Sequence, residues 1–174
     1  PTASIIAVKV FGDYSSQPFS TGGYCGNNNT ASPKNCVLAL NSDLLKVLQW
    51  VLTNPTNVAS INFSLGGGSY SGQCDILDPT FASAITSLRN THKVATVIAS
   101  GNGDALGNGY TNGISQPACF SSAIAVGATN KSGTINVASY SNTSSQLALL
   151  APGSNIKSSV PGGSYGFADG TSMA

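Results

Sequence analysis

The chain has 174 residues, enough for one domain that buries about two-thirds of its unfolded surface. Charged residues make up only 7%, the formal net charge is +1 and no basic run occurs, which argues against a nucleic-acid partner. No apolar run approaches the ~20 residues that cross a bilayer, so we expect a soluble protein without a membrane partner.

The first half of the chain alternates between apolar strands and a helix. Ile5–Val10 is a nearly continuous apolar run and predicts a strand. Leu44–Leu52 places leucines and valines at helical spacing, Asn41–Asp43 offers an N-cap with a first-turn acid, and Asn54-Pro55 ends the predicted helix. Val58–Ser64 predicts the next strand, which stops at a run of glycines.

The second half continues this alternation. A helix is predicted at Phe81–Leu88, and strands are predicted at Val94–Ala99, Ala123–Ala128 and Leu147–Leu150. Because the strands lack polar alternation and helices separate them, they predict an α/β fold with a parallel sheet sandwiched by helices. No repeat or linker occurs, so we expect one domain over residues 1–174.

Three of the predicted strands end in glycine-rich turns, at Ser64–Gly68, Ser100–Gly103 and Gly127. In parallel sheets, ligands bind at the carboxyl ends of the strands, and glycine lets a ligand backbone approach closely. Any one of these turns alone is more simply an ordinary turn, so the case for a site depends on the residues that accompany them.

Two motifs suggest chemistry that their surroundings do not support. Gly101–Gly107 is similar to a dinucleotide-binding loop, but its last glycine comes one residue late and turn residues follow where a phosphate-binding helix must begin. Gly162–Gly166 fits the G-x-S-x-G pattern of a nucleophile elbow, but a proline precedes it and another turn follows. A β-hairpin from Ser158–Val160 to Tyr165–Ala168 explains that segment better, which makes Ser164 a turn serine.

The cysteines are Cys25, Cys36, Cys74 and Cys119, and these 4 residues allow three pairings. No C-x-x-C pair occurs and His92 is the single histidine, so a zinc site is not expected. Two disulfides are favoured over four free thiols, and they would indicate an oxidising compartment.

Five short segments lie at strand ends or sharp turns, in the order Asn62-Phe-Ser-Leu-Gly-Gly67, Ala99-Ser-Gly-Asn102, Ala125-Val-Gly-Ala128, Ala151-Pro-Gly153 and Gly170-Thr-Ser-Met-Ala174. Together they resemble the subtilisin-like serine proteases, the subtilase family, across essentially the whole chain. Cys74-Asp75 and Pro117-Ala118-Cys119 are similar to segments of its secreted bacterial members. The resemblance implies a serine endopeptidase with a subtilisin-like fold, polypeptide substrates and an extracellular location.

The resemblance also implies a role for each matching residue. Ser172 would be the nucleophile that forms an acyl-enzyme. Asn102 would donate its side-chain amide to the developing oxyanion, together with the Ser172 backbone N–H. The pocket walls, and the edge beside the bound peptide, would come from Ser64, Leu65, Gly66, Gly67, Ala99, Ser100 and Gly101. None of these is charged, so a preference for apolar or uncharged substrate side chains is expected.

Further expectations follow from the same resemblance. Cys74 would pair with Cys119, a monomer is expected, and an N-terminal propeptide would be in keeping with the family. Catalysis should need no cofactor. Structural calcium is usual in the family, but no metal site is assigned to the aspartates in loops or near helix starts, which are Asp13, Asp75, Asp78 and Asp104.

The sequence departs from the family in its catalytic base. The family's triad runs Asp, His, Ser along the chain, but neither an Asp-Thr/Ser-Gly nor a His-Gly-Thr-His segment is present. His92 precedes the strand that leads to Asn102, so we expect it about 20 Å away, at the opposite end of that strand. It is therefore interpreted as a surface histidine and not as the base for Ser172.

The chain ends two residues after Ser172, where the family has a long helix, so we expect it to be part of a longer protein. Alone it should not hydrolyse peptides, because Ser172 lacks a base. It should also be poorly stable, because a missing strand would expose two sheet edges. The alternatives are a non-catalytic subtilisin-like domain that binds peptide or protein, and a low-charge adhesion module.

Overall fold

The structure is a computed structural model that describes residues 3–13, 37–54, 58–103, 108–110, 112–131 and 136–174. The chain divides into two compact units, Pro1–Thr53 and Asn54–Ala174, and each is described by itself. The single domain expected over residues 1–174 stays a prediction.

The described residues of the first unit form two short antiparallel strands and one helix. Its elements are β1 (Phe11–Asp13), β2 (Val37–Ala39) and α1 (Asn41–Thr53). Leu44, Leu48 and Val51 recur at helical spacing on one side of α1 and are buried. Asp43 lies in the first turn, near the positive end of the helix dipole, and accepts a hydrogen bond from Lys46 at 2.9 Å. The predicted helix is confirmed.

The strand predicted at Ile5–Val10 is wrong. Residues 3–10 form no ladder with any other described segment, and regular pairing begins only at β1. Ile5, Ile6 and Val8 are 91%, 57% and 49% exposed, so their side chains are not packed in a core. An apolar run becomes a strand only where a neighbour satisfies its backbone groups, and no described strand pairs with this one.

The second unit is built on a parallel sheet, as the unbroken apolar runs predict. In chain order its strands are β3 (Ser60–Phe63), β4 (Gly67–Tyr70), β5 (Ala95–Ala99), β6 (Ile114–Gln116), β7 (Ile124–Thr129), β8 (Leu149–Pro152), β9 (Ile156–Val160) and β10 (Ser164–Ala168). The central sheet has the order β3-β5-β7-β8, and each neighbouring pair is parallel. The predicted α/β fold class is therefore confirmed, although β8 begins two residues later than predicted.

Helix α2 (Pro79–Ser87) packs against this sheet through an aromatic contact. The Phe81 ring centroid lies 6.3 Å from that of Phe63 in β3 and 5.4 Å from that of Phe120. The helix begins two residues before the predicted start at Phe81, because Pro79 fixes its first turn and the Asp78 carboxylate accepts a hydrogen bond from the Phe81 backbone N–H at 3.1 Å. A single π-helical turn follows and leads into β5.

Two antiparallel pairs complete the described part of this unit. β9 and β10 form the predicted hairpin, in which Ser164 pairs with Val160. The pairing of β4 with β6 was not predicted. The predicted Cys74–Cys119 disulfide is confirmed, and closing a loop of 45 residues is worth about 4 kcal/mol on the chain-entropy estimate. Cys25 and Cys36 lie outside the described residues.

Candidate active site

Ser172 is tied to the turn that follows β3 by a reciprocal pair of hydrogen bonds. The Ser172 hydroxyl donates to the Ser64 carbonyl oxygen at 3.2 Å, and the Ser64 hydroxyl donates to the Ser172 carbonyl oxygen at 3.0 Å. Asn62 Nδ2 donates to the Ser64 hydroxyl at 2.9 Å and so orients it. These bonds hold together two segments that are 108 residues apart in sequence.

The orientation of the Asn102 carboxamide is fixed by Thr171. The Thr171 backbone N–H and its hydroxyl donate to Asn102 Oδ1 at 2.8 and 2.9 Å. A backbone N–H can only donate, so the Asn102 atom facing it must be the oxygen and the NH₂ group must face the other way. That group lies beside Gly170, since a Cβ built there would be 3.3 Å from Asn102 Nδ2. The side chain thus presents two N–H donors next to the Ser172 segment.

The Thr171 hydroxyl also anchors the turn that carries Asn102. It accepts a hydrogen bond from the Gly101 backbone N–H at 3.1 Å while it donates to Asn102 Oδ1. The turn and the Ser172 segment are therefore held together by one side chain that acts as both donor and acceptor. This contact depends on residues about 70 positions apart, so the local sequence around Asn102 does not predict it.

Glycines allow the backbones around Ser172 to approach closely. A Cβ at Gly153 would lie 2.6 Å from both the Gly170 carbonyl oxygen and Ala128 Cβ, which is too close for any side chain. The Gly170 N–H donates to the Gly153 carbonyl at 2.9 Å. The Ala151-Pro-Gly153 turn at the end of β8 thus packs directly against the backbone of the Ser172 segment.

Asn142 is a supporting residue that the sequence analysis missed. Its side chain is 1% exposed, and its Nδ2 donates to the Ser100 carbonyl (3.3 Å) and the Ser115 hydroxyl (3.4 Å). Its Oδ1 accepts from the Tyr110 N–H at 3.0 Å, and its backbone N–H donates to the Gly101 carbonyl at 2.9 Å. One buried amide thus fixes the turn before Asn102 against two other segments.

The residues predicted to line the pocket follow two neighbouring parallel strands. Ser64, Leu65, Gly66 and Gly67 follow β3, and Ala99, Ser100 and Gly101 end or follow β5. Gly66 approaches β6 closely, since a Cβ there would lie 2.9 Å from the Gln116 carbonyl oxygen. The Ser100 hydroxyl is fully buried and donates to the Asn142 carbonyl at 2.9 Å, so this predicted wall residue presents no hydroxyl to solvent.

The family model described as the Subtilase family matches residues 1–174 of this sequence. The chain belongs to the subtilase family. Subtilisin E from Bacillus subtilis (strain 168) is 33% identical over an alignment of 175 positions, which covers 100% of this chain and 36% of that protein. Subtilisin BL from Lederbergia lenta is 38% identical over 133 positions, covering 76% of this chain and 43% of that protein.

A solved subtilase-like structure shares the fold. A cold adapted subtilisin-like serine proteinase superposes with a TM-score of 0.60 at 32% sequence identity, over 82% of this chain and 46% of that one. The chain therefore spans less than half the length of each of these relatives. The subtilisin-like fold that the sequence motifs predict is confirmed.

The single histidine of this subtilase chain lies away from Ser172 along the sheet. His92 ends the π-helical turn that precedes β5, whereas Asn102 follows the opposite end of that strand. The five residues of β5 span about 16 Å at 3.3 Å per residue. His92 and Ser172 are thus not brought together, and the described residues supply no histidine beside the serine.

Ser164 lies in the β9–β10 hairpin of this subtilase chain and not at a nucleophile elbow. It is exposed at the start of β10, where the hairpin turns through Gly162 and Gly163. A nucleophile elbow needs a buried strand before its serine and a helix after it, and the hairpin provides neither. The sequence interpretation of Ser164 as a hairpin residue is confirmed, although it begins β10 and does not lie in the turn itself.

Two of the candidate aspartates have structural partners in the subtilase fold. Asp75 accepts hydrogen bonds from the Ser121 N–H and hydroxyl, the latter at 2.8 Å, and Asp78 caps α2. Asp104 lies outside the described residues. Within the described ranges no group of three or more His, Cys, Asp or Glu residues is placed to hold a metal ion, and no helix there is long and apolar enough to span a membrane.

Proposed function

We propose that the protein containing these 174 residues is a serine endopeptidase in which Ser172 is acylated and Asn102 stabilises the oxyanion. The observation that carries this proposal is the orientation of Asn102, whose Oδ1 is occupied by two Thr171 donors. Its N–H groups are left to face the Ser172 segment. A peptide-binding relative without catalysis would have no need of an amide donor held in this way beside a serine hydroxyl.

The reaction begins with a substrate carbonyl carbon beside the Ser172 hydroxyl. As the hydroxyl oxygen bonds to that carbon, its proton passes to a base and the carbonyl oxygen becomes negative. The Asn102 N–H and the Ser172 backbone N–H donate to that oxygen. The C–N bond then breaks as the leaving amine takes up a proton, and water hydrolyses the acyl-enzyme.

The base must come from residues outside this sequence. The chain has 1 histidine, and it lies at the far end of β5 from Asn102. We infer that the 174-residue chain alone does not hydrolyse peptides. Hydrolysis by the purified chain that is lost on Ser172→Ala would contradict this inference.

The substrates are proposed to be polypeptides with apolar or uncharged side chains in the pocket, because no predicted wall residue carries a charge. Catalysis is proposed to need no cofactor, and calcium would have only a structural role. The buried Cys74–Cys119 disulfide supports an extracellular location, since such bonds persist in oxidising compartments.

The experiment that tests the proposal is labelling of the longer protein with a fluorophosphonate probe. We expect one labelled serine, Ser172, and loss of labelling in Ser172→Ala. The matched control is Ser164→Ala, which removes the competing motif serine in an exposed hairpin and should label like the parent. Undiminished labelling of Ser172→Ala, or an unlabelled but folded parent protein, would rule the proposal out.

A further inference from the structure

The chain has three Asn-Gly pairs close together in sequence, Asn102-Gly103, Asn108-Gly109 and Asn112-Gly113. At such a pair the glycine backbone nitrogen can attack the asparagine side-chain carbon, because glycine has no Cβ to obstruct the approach. The attack forms a five-membered imide and releases ammonia, and water then opens the imide to aspartate or isoaspartate. The structure distinguishes the three pairs.

At two of the pairs the attacking nitrogen is already engaged. The Gly109 N–H donates to the Ser139 carbonyl at 2.8 Å, and the Gly113 N–H donates to the Thr143 carbonyl at 2.9 Å. Gly109 is also closely packed, since a Cβ there would overlap the Ser141 carbonyl oxygen. Attack at either pair requires one of these bonds to break first, so the folded chain protects them.

The pair at Asn102 meets three conditions for the reaction. No residue in the described ranges accepts a hydrogen bond from the Gly103 N–H, in contrast to the glycine N–H groups of the other two pairs. The two Thr171 donors point at Asn102 Oδ1, the atom that becomes negative as the Gly103 nitrogen adds to Cγ. Asn102 is exposed, so the departing ammonia can reach solvent.

The fold also keeps glycine at this labile position. Gly103 has φ +83°, and a Cβ there would overlap the Asn108 carbonyl oxygen. A bulkier residue would slow the attack but would not fit this turn. Asn102, the proposed oxyanion donor, is thus followed by glycine, the residue type that obstructs deamidation least.

We propose that Asn102 is a site of spontaneous deamidation, and that this modification inactivates the enzyme. The Gly103 nitrogen bonds to Asn102 Cγ, the Cγ–Nδ2 bond breaks, and Nδ2 leaves as ammonia with the proton from the Gly103 nitrogen. Hydrolysis of the imide leaves a carboxylate that has no N–H to donate. The site of modification rests on the hydrogen bonds and the exposure described above, whereas its effect on activity rests on the proposed function.

The modification is tested on the longer protein by incubation in mildly alkaline buffer and peptide mass spectrometry, with and without urea. Without urea, Asn102 should deamidate about tenfold or more faster than Asn108 and Asn112, because only their glycine nitrogens are held by native hydrogen bonds. In urea the three rates should converge. Equal rates without urea, or faster loss at Asn108 or Asn112, would overturn the proposal.

The effect on activity is tested on the longer protein, with Asn102→Asp as the product standard. We expect turnover to fall in proportion to the deamidated fraction and Asn102→Asp to be about 10²-fold or more slower, the effect measured when the corresponding donor is removed from a subtilisin. Full activity after deamidation would contradict the oxyanion role and leave the modification standing. Loss of activity while Asn102 remains unmodified would overturn the link between deamidation and inactivation.

Discussion

At the scale of single residues, the Thr171 hydroxyl sets the geometry of the turn that carries Asn102. Its hydroxyl accepts from the Gly101 N–H and donates to Asn102 Oδ1, so it holds the backbone and the side chain of one turn. Without the hydroxyl, only the Thr171 backbone N–H would hold the Asn102 amide. The amide would then be held by one hydrogen bond in place of two, and its orientation would be less restricted.

Thr171→Val in the longer protein should therefore lower kcat about 3–10-fold with little change in KM, which corresponds to one net hydrogen bond of about 0.5–1.5 kcal/mol. Valine keeps the shape of the side chain and removes only its hydrogen bonds. Thr171→Ser keeps the hydroxyl and should retain most of the activity. Steady-state kinetics on a peptide substrate decides, and an unchanged kcat in Thr171→Val would contradict the role assigned to the hydroxyl.

Asn142 acts on stability at the same scale. In Asn142→Asp an oxygen replaces Nδ2 and faces the Ser100 carbonyl at a position that is 1% exposed. We expect a loss of at least about 2–3 kcal/mol in the free energy of unfolding, because a buried acceptor pair or charge is left uncompensated. Urea denaturation measures it, with Asn130→Asp, an exposed position, expected to change stability by less than about 0.5 kcal/mol.

At the scale of elements, the hairpin of β9 and β10 depends on backbone conformation more than on packing. Gly162 and Gly163 have φ +89° and +74°, and a Cβ at either would meet no atom within 4 Å. The turn thus needs glycine for its dihedral angles alone. A substitution in this turn therefore tests backbone strain without steric overlap. At Gly101 and Gly103 a side chain would meet both.

Gly162→Ala should accordingly destabilise the chain by about 1–2 kcal/mol, the strain of a left-handed alanine. Gly72→Ala is the matched control, because a Cβ there also meets nothing and its φ is outside the positive region. That variant should be neutral or stabilise by up to about 1 kcal/mol, through lower entropy of the unfolded chain. The two urea midpoints should move in opposite directions or differ clearly, and equal shifts would argue against backbone strain in the turn.

At the scale of the whole molecule, the described sheet ends in unpaired edges. β3 and β8 are its outer strands, and Leu149 and Leu150 in β8 are 57% and 46% exposed. Ile5 and Ile6 add exposed apolar surface in the first unit. Apolar edges of this kind favour association between chains.

The isolated 174-residue chain should therefore self-associate as its concentration rises and bind a dye specific for exposed apolar surface. Sedimentation velocity across a concentration series measures the first, and dye fluorescence the second. Leu150→Lys should reduce association, because charge at an edge opposes pairing. A monomer that melts cooperatively at all concentrations would contradict this expectation.

Elements whose formation depends on neighbouring residues could be predicted from the sequence. Contacts whose formation depends on distant segments could not. The α1 helix, the parallel strands and the β9–β10 hairpin follow from apolar spacing and turn residues, so their prediction is confirmed. Ile5–Val10 has the same apolar pattern but no described partner strand, and pattern alone cannot supply one. The β4–β6 pairing and the Asn142 hydrogen bonds join segments that only the folded chain brings together.

The hydrogen bonds exchanged by Ser64 and Ser172 also set an order of events during synthesis. The two serines are separated by 108 residues, which a ribosome adds in about 5–20 s at roughly 5–20 residues per second. Until Thr171 and Ser172 emerge, the Ser64 hydroxyl lacks its acceptor, the Ser172 carbonyl, and the Asn102 amide has no Thr171 to orient it. A nascent chain therefore contains the turn after β3 and the turn that carries Asn102 well before it contains the Thr171 and Ser172 groups that bond to them.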